Sequence, residues 1–191
     1  MKLLEERIIR DGKILPGDIL KIDSFLNHQI DVQLMDEISA EFYRLFKDAR
    51  PDKILTIEAS GIAIAAATSR CFGYIPVVFA KKTAASNMSK DAYQASEHSY
   101  TRNIDYTIQV ARDYLKEGER VLILDDFLAN GEAMCAMIKL CKEAGAEVAG
   151  CGSVVCKTYQ PGEQRIKDLG YKVEVLARVK SMTDGGQIEF E

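Results

Sequence analysis

Adjacent carboxylates at Asp125 and Asp126, then Asn130-Gly131, then an amphipathic run from Glu132, are the residues of this chain best arranged for chemistry. A strand that ends in acids and turns at once into a helix N-terminus offers two complementary kinds of group. The helix start exposes unpaired backbone N–H groups and roughly half a positive charge, which suit a phosphate. Carboxylates cannot hold a phosphate, but they accept hydrogen bonds from sugar hydroxyls. A ribose 5-phosphate satisfies both halves at once. A dinucleotide site would place its glycines directly after the strand and the acid later, and a P-loop would end in Gly-Lys-Ser/Thr; neither order occurs here. Read locally, adjacent Asp residues that merely cap a helix account for the same letters.

A second turn repeats the arrangement. Glu58-Ala59-Ser60-Gly61 lies between the apolar run Lys53 to Ile57 and an alanine-rich helical run, so its amides also suit an anion. Ser60 as an ordinary N-cap is the simpler local account. Further on, Lys81 to Asp105 is polar, rich in Ser and Ala, and lacks long apolar periodicity. A structureless stretch of that length in a compact domain is more often functional or disordered than a neutral connection. Lys81 and Lys82 foremost, with Ser86, Ser89, Lys90, Tyr93, Tyr100 and Arg102, supply cations and hydroxyls for a polyphosphate. Lys157 closes the run Val154-Val155-Cys156, where its ammonium can donate into a cleft at a strand end. Taken alone it reads more readily as a surface lysine ending a strand. His28 and His98 are isolated and form neither a metal set nor a catalytic triad.

Alternating elements must position these residues. Helical spacing covers about Lys2 to Arg10 and Val32 to Lys47, the latter with Leu34, Ile38, Phe42, Leu45 and Phe46 as its apolar stripe. Strands are predicted at Lys53–Ile57, Tyr74–Ala80, Tyr106–Val110, Val121–Leu124, Val148–Cys156 and Val173–Val179. Further helices are predicted up to about Arg70, at Glu132–Ala144 and near Glu163–Leu169. Four branched apolar residues at Val121–Leu124 fit a strand buried on both faces, as parallel sheets require. The alternation argues for a doubly wound α/β fold, a mostly parallel central sheet flanked by helices. No repeat or dividing linker is visible, so one domain is expected.

Composition agrees. At 191 residues, 47% hydrophobic and 28% charged, the chain suits a globular domain with a substantial core. A net charge of −4 argues against nucleic-acid binding through a basic surface. No apolar run approaches a membrane span, and the charged start Met1 to Arg7 is unlike a signal peptide. Five cysteines without metal-binding spacing are expected to be reduced core thiols of a cytoplasmic protein.

The segment Asp125 to Ala133 resembles the 5-phosphoribosyl pyrophosphate (PRPP) motif of type I phosphoribosyltransferases. The general form has Thr before its glycine and Thr or Ser two residues after it. This chain has Asn130 and Ala133, which removes hydroxyls and leaves the backbone donors. Asp-Asp-Phe-Leu-Ala-Asn-Gly is similar to the variant in the family's bacterial xanthine-using branch, and Leu20 to Asp31 and Gln160-Pro161-Gly162 after Lys157 agree with it. The resemblance runs over nearly the whole chain. It implies the type I phosphoribosyltransferase fold, with a small hood from about 1–30 and 157–191 and a mobile lid over about 81–105. It also implies transfer of the phosphoribosyl group from PRPP to N9 of xanthine, giving xanthosine monophosphate and pyrophosphate.

By the same resemblance Asp125 and Asp126 form the catalytic pair at the ribose hydroxyls. Ala129, Asn130, Gly131, Glu132 and Ala133 surround the 5′-phosphate, and Glu58, Ala59, Ser60 and Gly61 meet the pyrophosphate. Leu20, Asn27 and Lys157 hold the base, while Phe127 lies either on the base's face or in the core. Lys81 and Lys82 belong to the lid. Mg2+ is implied, held mainly by PRPP and water without dedicated protein ligands, and so is a homodimer. The alternatives are guanine or hypoxanthine as the base, or a catalytically inactive PRPP-sensing regulator, against which the length and acidic charge argue.

Overall fold

The computed structural model describes residues 1–83, 91–99, 104–183 and 186–191. The chain opens with α1 (Lys2–Asp11), a short hairpin of β1 (Lys13–Leu15) and β2 (Ile19–Lys21), and a π-helical turn at Asp23–Asn27. There follow α2 (Val32–Phe46), β3 (Lys53–Ile57), α3 (Gly61–Cys71), β4 (Val77–Thr83), β5 (Ala92–Ser99) and β6 (Ile104–Ala111). Then come β7 (Arg120–Leu128), α4 (Glu132–Ala144), β8 (Glu147–Lys157), α5 (Gly162–Asp168), β9 (Val173–Met182) and β10 (Ile188–Phe190). Among the described residues the main sheet has the order β10-β9-β8-β7-β3-β4-β6-β5. Its centre, β9-β8-β7-β3-β4, is parallel, and β10 and the β5–β6 hairpin add antiparallel edges. The expected α/β architecture holds. No helix among the described residues is long and apolar enough to cross a membrane.

The two faces of β7 show why the strand is apolar throughout. Val121 and Ile123 pack with Met134, Met137, Ile138 and Cys141 of α4, whereas Leu122 and Leu124 pack with α1, α2 and α3 residues such as Ile8, Phe42 and Ile64. Each Leu or Ile side chain fully buried in this way contributes about 1.5–3 kcal/mol. Beyond Leu124 the odd–even order inverts: Phe127 packs on the α2 side and Leu128 on the α4 side. The neighbouring strands match, with Val154 and Val155 on β8, and Leu176 and Ala177 on β9, consecutively in the second core. The change of parity falls at Asp125 and Asp126.

α2 starts where Asp31 Oδ1 accepts the Leu34 N–H at 3.1 Å and Asp31 Oδ2 accepts from Arg7 of α1 at 2.8 Å. The Leu34 N–H first, and Arg7 beside it, hold the Asp31 carboxyl below its ordinary range.

Three expectations are revised. β7 does not stop at Leu124 but carries both acids, because β8 goes on pairing with it from Asp125 to Leu128 after the pairing with β3 ends at Ile123. The stretch Lys81 to Asp105 is not structureless: β4 runs to Thr83, and β5 pairs along β6 in an edge hairpin, where a polar strand costs little. Residues 84–90 and 100–103 of that stretch, with Ser86, Ser89, Lys90, Tyr100 and Arg102, lie outside the described residues. Cys135, Cys141, Cys151 and Cys156 form no disulfide and are buried as expected, whereas Cys71 is exposed. Burial pushes the Cys141 and Cys156 thiols up to about 12, which keeps them unreactive.

Candidate functional site

Asp125 is 5% exposed, and Asp126 next to it is half-buried. Asp125 Oδ1 accepts the Asp126 N–H at 2.9 Å, and Asp126 Oδ1 accepts the Phe127 N–H at 3.0 Å. Burial pushes the Asp125 carboxyl well above the usual carboxylate range, and the charge of Asp126 adds to the rise. The Asp126 N–H and the charge of Lys82 offset part of it. Two adjacent acids therefore differ in kind: one takes up a proton readily, and the other stays partly open to solvent. Asp126 Oδ2 also accepts from Asn27 Nδ2 at 3.3 Å, which ties the π-helical turn to the strand.

After Leu128 the chain turns through Ala129 and Asn130 to Gly131, whose φ of +85° suits glycine. The first helical bond of α4 runs from the Cys135 N–H to the Gly131 carbonyl at 2.9 Å. Glu132, Ala133 and Met134 are thus the residues whose N–H groups a helix leaves without an intrahelical acceptor. The start of α5 braces this loop. The Gly162 N–H donates to the Ala129 carbonyl at 3.0 Å, and Arg165 Nη1 donates to the Asn130 carbonyl at 2.9 Å. A Cβ on Gly162 would stand 2.3 Å from the Ala129 oxygen and 2.8 Å from the Gly131 nitrogen. A cavity of about 180 Å³ opens here, lined by Phe127, Leu128, Ala129, Gly131, Glu132, Ala133 and Met134. Of the predicted phosphate loop, only Asn130 is not in its wall. Glu132 brings a buried Oε1 that has no hydrogen-bond partner among the described residues.

A larger cavity, about 650 Å³, lies between β4 and β6 and shares only Lys81 with the predicted residues. It lacks the acids and the helix N-terminus, so the smaller cavity is the better candidate for anion chemistry.

The turn after β3 meets the acids from the other side. A Cβ on Gly61 would stand 2.0 Å from Thr56 Oγ1 and 3.6 Å from Asp125 Oδ1. Thr56 Oγ1 is buried there without a partner among the described residues. Sequence reasoning missed Thr56, which reads as one more β-branched strand residue. Ser60 stands at the N-cap of α3, but its side chain makes no capping bond, so the ordinary-cap account does not describe it. Glu58 Oε1 accepts the Lys82 N–H at 2.6 Å, and the Glu58–Ala59 peptide is cis; Ala59 itself is exposed. The two lysines part company: Lys82 bears electrostatically on Asp125, while Lys81 lines the larger cavity. Tyr93 is core, 8% exposed, with the Arg112 guanidinium 4.3 Å above its ring.

On the base side, Leu20 is buried on β2 and Lys157 is buried at the end of β8. The Lys157 ammonium donates to the Asp18 carbonyl and lies 3.2 Å from the Asp18 carboxylate. Phe127 packs against the second core, as one of its two readings has it, and also lines the smaller cavity beside the phosphate loop. Asp18 and Gly162 were not singled out for a role from sequence. A Pro-Gly pair beside Lys157 was the available signal for Gly162, and nothing local marks Asp18.

Residues 21–187 match the family of the phosphoribosyl transferase domain. Xanthine phosphoribosyltransferase 1 of Clostridium perfringens is 50% identical over 184 residues, covering 96% of this chain and 97% of that protein. Xanthine phosphoribosyltransferase of Laribacter hongkongensis is 49% identical over 190 residues, covering 100% of both chains. The crystal structure of adenine phosphoribosyl transferase from Trypanosoma brucei, in complex with AMP, pyrophosphate and ribose-5-phosphate, shares the fold. Its TM-score is 0.78 at 16% identity, over 96% of this chain and 82% of that one.

Proposed function

The chain belongs to the phosphoribosyl transferase family, and on that premise we propose that it joins N9 of xanthine to C1 of PRPP, forming xanthosine monophosphate and releasing pyrophosphate. The observation that carries this reading is the meeting at Asp125 and Asp126 of three pieces: the braced α4 N-terminal loop, the Gly61 turn, and Asn27.

The α4 loop would take the 5′-phosphate on backbone N–H groups, and the Glu58–Gly61 turn the pyrophosphate. The ribose between them would lie over the acids, with its hydroxyls donating to Asp126. As the C1–N9 bond forms and the C1–O bond breaks, the bonding pair leaves with pyrophosphate, positive charge develops on the sugar ring, and the imidazole proton of xanthine passes to water or to the leaving pyrophosphate. A fixed carboxylate beside that ring stabilises the charge without reorganisation. Holding both substrates in register supplies most of the remainder. Leu20, Asn27 and Lys157 would hold the base, and the hood and the lid region around Lys82 would exclude water.

Mg2+ takes hard oxygen donors and commonly only one or two carboxylates beside substrate and water, and Asp126 with Asp125 fits that set. Among the described residues no group of three or more His, Cys, Asp or Glu converges on a metal site. When bound, the ion would neutralise polyphosphate charge. A homodimer acting in the cytoplasm completes the reading, with the exposed Leu3 and Ile9 of α1 available to a partner surface.

The test is incubation with PRPP, Mg2+ and xanthine, guanine, hypoxanthine or adenine separately, with nucleotides resolved by chromatography. Xanthosine monophosphate as the preferred product is expected. Preference for another base would overturn the base assignment, and no nucleotide from any base would overturn the transferase reading.

A further inference from the structure

Asp18 stands in the turn between β1 and β2, far in sequence from Lys157 and Tyr159, to which it is hydrogen-bonded. Its Oδ1 accepts from the Tyr159 hydroxyl at 2.6 Å, and its Oδ2 lies 3.2 Å from Lys157 Nζ, which also donates to the Asp18 carbonyl. These contacts join segments 139 and 141 residues apart. The Lys157 side chain is 11% exposed. A lysine that deep needs a paired anion. The backbone at Asp18 has φ +61°, beside Gly17 at +83°. Glycine or asparagine would serve that geometry as well, so the turn alone does not call for a carboxylate.

Resting on the reading above, we propose that Asp18 is a positioning residue for the purine base, stapling the β1–β2 turn to the end of β8. An ammonium carries three donors. Asp18 takes two of those on Lys157 through its carbonyl and carboxylate, which fixes the direction of the third. That donor is the one left for an oxo group of the base. Leu20 follows Asp18 by two residues, so the same staple sets where the apolar wall of the base pocket stands. Tyr159 completes it by donating its hydroxyl to the other oxygen of the Asp18 carboxylate.

The measurement is initial-rate kinetics of the full chain with Asp18→Asn and Tyr159→Phe, using whichever oxopurine the unaltered protein prefers. Asn keeps the turn geometry and removes the charge. Asp18→Asn should raise KM for the base about tenfold, the weight of one hydrogen bond between charged groups, with kcat and KM for PRPP held within about twofold. Tyr159→Phe should move the same constant in the same direction by about threefold. Unchanged base KM in both variants overturns the proposal. So does a parallel fall in kcat, both affinities and thermal stability, which would mark Asp18 as purely structural. Absence of nucleotide formation by the unaltered protein would show instead in that first control; the functional reading would fall, and this proposal with it.

Discussion

The phosphate side and the base side of this site are held together by different physics. On the phosphate side main chain meets main chain: a Cβ on Gly131 would stand 3.1 Å from the Gly162 Cα, and one on Gly162 would stand 2.3 Å from the Ala129 oxygen. On the base side, polar and charged side chains reach across the molecule, Asn27 to Asp126 and Asp18 to Lys157. Close backbone packing fixes a loop but admits no extra atom. Side-chain staples accept changes of shape and depend on charge and hydrogen-bond partners. The phosphate side should therefore fail by steric damage and the base side by lost polarity.

The largest expected effect is on the rigid side. Gly162→Ala should displace the Ala129–Gly131 loop and lower kcat/KM for PRPP about a hundredfold, the typical cost of a ~1 Å misplacement, with base KM little changed. Initial rates at varied PRPP check this. A variant with wild-type PRPP kinetics would show that the brace does not set the loop.

Asp125 sits between the two sides, and its replacement should separate function from stability. Asp125→Asn should lower kcat about tenfold or more while raising Tm, with each ~1 kcal/mol worth about 2–4 °C at this chain length. The sign follows from the raised carboxyl. The folded state disfavours the ionised form, so the unaltered protein loses stability as pH rises from the unfolded pKa of about 3.9 toward the folded value. The Tm difference should vanish at about pH 3 and below and widen upward, as read by calorimetry across pH. A gain that is flat with pH would contradict the buried-acid reading.

The smallest effect belongs to Asn27→Ala, which removes one partly exposed contact. Base KM should rise about fivefold with PRPP KM nearly constant. A larger effect on PRPP than on the base would move Asn27 from the base side to the ribose side, where its bond to Asp126 also points.

What could be read from the sequence follows the same division. The strand–acid–loop–helix unit from Val121 to Ala144 is local, and α4 occupies the predicted residues Glu132–Ala144. β7 ends beyond the predicted Leu124 because Asp is a poor strand former in isolation, a preference that continued pairing with β8 overrides. β5 was hidden because an edge strand needs no apolar alternation. Thr56 and Asp18 had no local signal at all. Thr56 gains meaning only when Gly61 lies against it, and Asp18 only when β8 brings Lys157 beside the first hairpin.

The most direct measurement is a crystal structure of the protein with xanthosine monophosphate and Mg2+. It should place the phosphate on the backbone of Ala129 to Ala133, the ribose hydroxyls on Asp126, and the base oxo groups within reach of Asn27 and Lys157. A nucleotide seated instead in the cavity between β4 and β6, or a phosphate away from the start of α4, would contradict the assignment of the site.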